Sequence, residues 1–133
     1  MREIFEGAWS GRRFSDLRVE FEEDFGTWLR DIGHARCTDG ESTWELLLRV
    51  KATLTRIAEA HDGETVFVTT HATPIRVMQT YVTTGSLDAM KDIPWVANAS
   101  VTELYYDAGE WRFVRISDDR HLGALTTELP KNV

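Results

Sequence analysis

The chain has 133 residues, of which 42% are hydrophobic and 28% charged, a composition typical of one soluble domain with a real core. Its net charge of −7 argues against nonspecific nucleic-acid binding and against docking on an anionic membrane. Cys37 is the only cysteine, which excludes an intrachain disulfide and a cysteine-rich zinc site. No apolar stretch approaches the roughly 18 residues that span a bilayer, and no signal peptide opens the sequence. We therefore expect a single domain over residues 1–133, located in the cytoplasm.

The first forty residues alternate between turn-rich and helical patterns. Residues 2–5 resemble the end of a strand, and a glycine-rich turn follows them. Ser15 can cap a helix over about residues 16–24, and a second short helix is predicted over residues 25–31. The polar segment 33–40 is predicted to be a loop.

The clearest helix in the chain begins after residue 42. Ser42-Thr43-Trp44-Glu45 is a capping box, in which the serine and glutamate side chains satisfy each other's backbone N–H groups. Apolar residues recur behind it at helical spacing and predict the buried face: Leu47, Val50, Leu54 and Ile57. Arg49 lies outside this apolar pattern, so we expect it to face water.

The segment around His71 carries the pattern with the clearest functional meaning. Val66, Phe67 and Val68 form a short apolar run, which suits a strand buried on both faces of a parallel sheet. Thr73 can then cap a helix whose first residue is Pro74. His71 would therefore lie at the carboxyl end of a strand, where open α/β sheets bind ligands, and beside a helix N-terminus that favours phosphate.

The rest of the chain completes an α/β pattern. The helix is predicted over residues 74–83 and is closed by Gly85, and a short helix is predicted over residues 86–91. Residues 100–106 and 111–117 are rich in β-branched and aromatic residues, and the four residues between them predict a hairpin. This order indicates an α/β sheet with one antiparallel edge.

A carboxylate is positioned to share the rim of the sheet with the histidine. Glu3 falls at the end of the first predicted strand, and a parallel arrangement with residues 65–70 would bring it to the same edge as His71. The imidazolium could then stabilise charge on a transferring phosphoryl group, while the carboxylic acid protonates the leaving oxygen. The alternatives are a surface carboxylate and a structural histidine. The 4 histidines lack metal-ligand spacing, so we expect no metal and no other cofactor.

Four segments of the chain resemble successive blocks of one known family. They are Arg2 to Gly11, Gly40 to Ser42, Val66 to His71 and Asn98 to Thr102. In this order and spacing they are similar to the histidine phosphatase superfamily, the phosphoglycerate mutase-like group. The resemblance extends over about residues 2–122, which is nearly the whole chain.

The resemblance implies a three-layer α/β/α sandwich around a mostly parallel sheet, with the antiparallel hairpin near the C-terminus. It implies transfer of the phosphoryl group of a small phosphomonoester through a phosphohistidine, without a metal or other cofactor. His71 matches the second, non-nucleophilic histidine of the phosphate pocket, and Glu3 matches the acid/base carboxylate. The backbone N–H of Ala72 would lie near the phosphate, and Gly40-Glu41-Ser42 matches a block that lines the pocket.

The sequence departs from the family at its beginning. The Arg-His-Gly motif, whose histidine accepts the phosphoryl group, does not occur in it. The chain therefore resembles a family member truncated at the N-terminus, a partial domain. His71-Ala72-Thr73 also stands where His-Gly-Gly is common. Because covalent catalysis needs a positioned nucleophile, we expect little or no phosphatase or mutase activity from this chain alone.

Two functions remain open at this point. The first is a phosphatase or mutase in the complete form, with the hydrolase favoured over the isomerase because the chain leaves no room for the large insertions of glycolytic mutases. The second is a noncatalytic remnant that acts as an oligomeric or anion-binding module. In either case the strand ending at His71 would have bare edges, which predicts a homo-oligomer paired through them. The substrate is not specified by the sequence.

Overall fold

The computed structural model describes residues 1–127, which form an α/β arrangement of helices and one hairpin. The α-helices are α1 (Phe14–Glu20), α2 (Glu22–Arg30), α3 (Thr43–Ala60) and α4 (Ala72–Thr84), and the strands are β1 (Val101–Asp107) and β2 (Glu110–Asp118). Short 3₁₀ turns lie at Gly7–Trp9, Ile32–His34, Met90–Asp92 and Arg120–Leu125. The helix predicted over residues 86–91 is not formed, and the 3₁₀ turn Met90–Asp92 overlaps only the end of that range. None of the helices in residues 1–127 is long and apolar enough to cross a membrane.

Helix α3 forms as its capping box predicts. The Ser42 hydroxyl accepts from the Glu45 N–H at 3.2 Å, and the Glu45 carboxylate accepts from the Ser42 N–H at 2.9 Å. The predicted Leu47 and Val50 are buried, and Leu46, directly before Leu47, is buried too. They pack in one core with side chains from the other helices and turns: Trp9, Phe25, Val77, Met78 and Met90. The amphipathic pattern therefore places α3 against the centre of the described fold.

Helix α4 begins two residues earlier than the sequence pattern predicts. His71 is the extended residue before the helix, with φ −125° and ψ 174°, and Ala72 is the first helical residue. Thr73 and Pro74 lie buried in the first turn, so the prediction of Thr73 as the cap was wrong. Gly85 ends the helix in the left-handed conformation at φ +81°, as its position predicts.

A buried arginine joins α4 to the segment that follows it. Arg76 is 6% exposed, and its guanidinium donates to the carbonyls of Met90 and Ile93, each at 2.8 Å. The same group lies 4.2 Å from the centre of the Trp95 ring, a cation–π distance. Burial lowers the pKa of Arg76 to about 10. This contact fixes α4, and hence its N-terminus, against residues 90–95.

The predicted central strand is not formed in this chain. Residues 64–70 have no regular secondary structure, and Phe67 is 92% exposed, with Val66 at 41% and Val68 at 37%. The prediction of a strand buried on both faces was therefore wrong for the described residues. The physical reason is that a strand is stabilised by its neighbours, and no other strand in residues 1–127 pairs with this segment.

The sheet within the described residues has two strands, which run antiparallel to each other. β1 and β2 pair as a hairpin with Asp107 opposite Glu110, which confirms the hairpin predicted from the sequence. A mostly parallel sheet inside a three-layer sandwich is not formed by residues 1–127. The strands that would build it, predicted at residues 2–5 and 65–70, remain without regular strand structure.

Candidate active site

Glu3 and the start of α4 come together although they lie far apart in sequence. The Thr73 N–H donates to Glu3 Oε2 at 3.3 Å, and the neighbouring Ile4 N–H donates to Oε1 at 2.7 Å. The first N–H groups of a helix have no partner within the helix, and the helix dipole is positive there. The carboxylate of Glu3 therefore already lies where an anion is stabilised.

His71 lies at the same end of α4. It is exposed and is the residue directly before the helix, two positions ahead of the Thr73 that contacts Glu3. Ala72 is the first helical residue, so its backbone N–H belongs to the same N-terminal group of donors. The structure thus places the Glu3 carboxylate at the helix terminus that begins with His71 and Ala72, through its contact with the Thr73 N–H.

The Thr70 hydroxyl next to His71 lacks a partner. Its Oγ1 is buried and makes no hydrogen bond within the described part of the chain. Buried polar atoms are nearly always hydrogen-bonded in folded proteins, so each exception needs an explanation. Here the orphaned oxygen lies one residue before the proposed phosphate-binding histidine, at the end of the exposed segment 64–70.

The segment carrying Glu3 is held by Arg49 and Glu41, although the helical pattern predicts that Arg49 is exposed to solvent. Arg49 is not solvated as predicted; it pairs with Glu41 through two hydrogen bonds, each at 2.8 Å. Its guanidinium also donates to the carbonyls of Arg2 at 3.2 Å and Glu3 at 3.1 Å. No local pattern could have revealed this role, because the Arg2 and Glu3 carbonyls lie 47 and 46 residues away in sequence.

Two residues of the predicted block Gly40-Glu41-Ser42 contact the segment that carries Glu3. Glu41 donates its N–H to the Phe5 carbonyl at 2.8 Å and accepts from the Phe5 N–H at 3.1 Å. A Cβ at Gly40 would lie 2.4 Å from the Phe5 carbonyl oxygen, so only glycine allows this approach. Ser42 caps α3. These contacts give Gly40 and Glu41 a role in placing the segment 2–5, whereas Ser42 fixes the start of α3.

A separate groove of about 390 Å³ lies beside the hairpin. It is lined by Val101, Arg115, Asp118, Arg120 and His121. Arg115 pairs with Glu103 at 2.7 Å and Arg120 pairs with Asp118 at 2.6 Å. Because both guanidinium groups already have carboxylate partners, this groove offers less to an anion than the start of α4.

Comparison with known proteins agrees with the resemblance found in the sequence. The profile described as histidine phosphatase superfamily (branch 1) matches residues 1–119. Phosphoserine phosphatase 1 of Hydrogenobacter thermophilus is 27% identical over 132 residues, covering 98% of this chain and 62% of that protein.

Solved structures give the same result for the fold. Bacillus stearothermophilus YhfR superposes with a TM-score of 0.83 at 23% identity, covering 90% of this chain and 59% of that one. A phosphoserine phosphatase of Entamoeba histolytica, solved in complex with phosphoserine, gives 0.75 at 15% identity, covering 92% and 61%. The chain spans about three fifths of the length of these relatives. Since the family profile covers nearly all of it, this chain belongs to the histidine phosphatase superfamily.

Proposed function

We propose that this chain forms the acid/base side of a phosphatase site that acts on a small phosphomonoester. The observation that carries the proposal is the contact between Glu3 and the Thr73 N–H, which joins the carboxylate to the helix terminus that begins after His71. A helix N-terminus supplies N–H donors for phosphate oxygens, and an adjacent imidazolium adds positive charge. The unpartnered Thr70 hydroxyl supports a further polar partner at this place.

Each residue has a distinct role in the proposed reaction. The phosphoryl group passes from the substrate oxygen to a histidine nucleophile, and water later releases it as inorganic phosphate. His71, as imidazolium, stabilises negative charge on the transferring group together with the Ala72 N–H. Glu3, as the carboxylic acid, protonates the leaving oxygen of the substrate. The carboxylate formed in that step then accepts a proton from the water that attacks the phosphohistidine.

The nucleophile of this reaction is not supplied by the sequence, which contains no Arg-His-Gly motif. The chain alone is therefore proposed to be inactive or nearly so, and to need a segment that carries this motif. Relatives named as phosphoserine phosphatases favour hydrolysis over isomerisation, and they make phosphoserine a suitable first substrate for assay. A noncatalytic anion-binding module is the alternative that the assay must separate from this proposal.

The test measures release of inorganic phosphate from phosphoserine by the purified chain. No turnover is expected from the chain alone. Turnover is expected after addition of a polypeptide that carries an Arg-His-Gly segment. E3Q and H71Q should each remove the restored activity, whereas R56Q on the exposed face of α3 should not. Turnover by the unassisted chain, or full restored activity in H71Q, would contradict the proposal.

Association through the exposed segment 64–70 is proposed as the way in which this chain completes its sheet. Phe67 is 92% exposed, which is unusual for a large aromatic residue in an extended apolar run. Unpaired backbone beside such side chains is a template for strand addition. Pairing there with a second copy would build the larger parallel sheet of the three-layer sandwich, and it makes a homo-oligomer the proposed state.

Sedimentation velocity of the wild type and two variants tests this association. Burying one phenylalanine stabilises an interface by about 1.5–3 kcal/mol, so F67S should raise the dissociation constant at least about tenfold. V19S is the matched control, because Val19 is 82% exposed on α1, outside the segment. A wild type that remains monomeric at every concentration, or equal association in F67S, would refute the proposal.

A further inference from the structure

Arg49 and Glu41 contact the main chain on both sides of Glu3. The Arg49 guanidinium donates to the carbonyls of Arg2 and Glu3, at 3.2 and 3.1 Å. The Glu41 carboxylate accepts from the Phe5 N–H at 3.1 Å, and a separate main-chain bond runs from the Glu41 N–H to the Phe5 carbonyl at 2.8 Å. The backbone before and after the proposed acid is therefore fixed by one ion pair.

This ion pair is better shielded from water than the others near α3. The side chains of Arg49 and Glu41 are 24% and 11% exposed, whereas those of Arg36 and Glu45 are 53% and 49% exposed. The paired guanidinium lowers the pKa of the Glu41 carboxyl below its ordinary value. Both groups consequently keep their charges over the range in which a phosphatase works, and the geometry does not depend on a titrating group.

The position of Glu3 depends on this fixation for a geometric reason. Residues 2–5 form no ladder with another strand in the described part of the chain. The remaining contacts of the Glu3 carboxylate are with its own neighbour Ile4 and with Thr73. The segment is also anchored by the buried side chain of Ile4 and by the Met1 amino group, which donates to the Thr69 carbonyl. Loss of the Arg49 and Glu41 side chains would remove three hydrogen bonds to the main chain of Arg2, Glu3 and Phe5, and the Glu3 carboxylate would shift away from the start of α4.

We propose that Arg49 and Glu41 are positioning residues for the acid/base carboxylate of Glu3. They act through the main chain of residues 2–5 and touch no substrate. This inference rests on the proposed function of Glu3 as the acid. It replaces a role for Glu41 in contacting phosphate with a role in fixing the residue that protonates the leaving oxygen.

The backbone amide of Thr73 reports the position of Glu3 without any substrate. Because this N–H bonds the carboxylate, its NMR chemical shift changes when the carboxylate is protonated in a pH titration of the chain. The measurement uses the full chain labelled with nitrogen-15. R49M should reduce the pH-dependent shift of the Thr73 amide several-fold, and R49K should restore it in part.

The controls separate positioning from general loss of structure. R12M removes the exposed pair with Glu20 of α1 and should leave the Thr73 shift unchanged. The double variant R49M/E41Q removes the ion pair without leaving a lone buried charge, so it covers the case in which R49M does not fold. A wild-type Thr73 shift in folded R49M or in the double variant would overturn the proposal.

A second titration keeps this inference distinct from the proposed function. Inorganic phosphate added to the wild type tests the anion site itself. If phosphate does not bind but R49M still alters the Thr73 shift, the function fails while the positioning stands. If phosphate binds and R49M leaves the Thr73 shift unaltered, the positioning fails while the function stands.

Discussion

Replacing Gly40 with alanine separates a scaffold role for this residue from a role in binding phosphate. The added Cβ would lie 2.4 Å from the Phe5 carbonyl oxygen, 2.8 Å from the Cys37 Cβ and 2.9 Å from the Gly7 nitrogen. Two of these three atoms belong to the main chain and cannot rotate away. Relief requires the Phe5 carbonyl and Gly40 to separate by about 1 Å before ordinary contact distances return.

The expected loss of stability follows from the hydrogen bonds that such a movement would break. Glu41 makes two hydrogen bonds to the Phe5 backbone, at 2.8 and 3.1 Å. Each bond stabilises the fold by about 0.5–1.5 kcal/mol, and overpacking a tight site costs about 1–3 kcal/mol. Because relaxation relieves overpacking by breaking bonds, the two effects do not add fully. We therefore expect G40A to lower the free energy of unfolding by about 2–4 kcal/mol.

The assay is urea unfolding followed by tryptophan fluorescence, without phosphate. G26A is the matched control, because a Cβ at Gly26 in α2 would meet only the flexible end of the Arg30 side chain. Alanine is the better helix former, so G26A should raise stability by up to about 1 kcal/mol. A G40A variant that unfolds like the wild type and loses only phosphate binding would refute this reasoning.

Three further predictions test other contacts of the fold. R76M should lower the free energy of unfolding by about 2–4 kcal/mol, since it leaves two buried carbonyls without their donor; an unchanged urea midpoint would contradict this. His34 Nδ1 lies 3.0 Å from Asp31 and Nε2 lies 3.2 Å from Asp88, and these carboxylates, Asp31 first, raise the pKa of His34. Because the pKa of His34 is higher in the folded state, its stabilising effect is complete at pH values below the pKa of the unfolded state and disappears as the pH rises through the pKa of the folded state. The free energy of unfolding, measured against pH, should therefore fall over this range in the wild type but not in H34Q. Burial raises the pKa of the Cys37 thiol to about 12, so a thiol reagent at about pH 8 should modify it only after unfolding.

Local signals in the sequence predicted the parts of the fold that depend on neighbouring residues. The capping box at Ser42 and the hairpin around Asp107 are each complete within a few residues, and both formed as predicted. The start of α4 was placed two residues late, because Thr73 and Pro74 fit a cap as well as a first turn. Such boundary errors arise wherever the same residue types suit adjacent positions.

Contacts between distant segments could not be predicted in the same way. The strand at residues 65–70 was predicted from its apolar run, but a strand forms only against a partner, and none is present in residues 1–127. Arg49 looked like a solvated helix residue because its carbonyl acceptors lie near the start of the chain. Gly40 and Glu41 were linked to phosphate by resemblance, and the structure adds their contacts with the segment that carries Glu3.

The approach of Glu3 to α4 was expected from the sequence only under a parallel arrangement of two strands. The structure brings the groups together by another set of contacts: the Met1 amino group donates to the Thr69 carbonyl at 2.7 Å, and Thr73 donates to Glu3. These contacts run in the same direction along both segments. Glu3 therefore lies next to the start of α4, although neither segment is a regular strand.

Titration of the nitrogen-15-labelled chain with inorganic phosphate tests the central proposal most directly. Phosphate binding at the start of α4 predicts saturable shifts of the Ala72 and Thr73 amides that H71Q weakens. Amides at the start of α4 that do not respond, with shifts confined to the hairpin groove at Arg115 and Arg120, would contradict it.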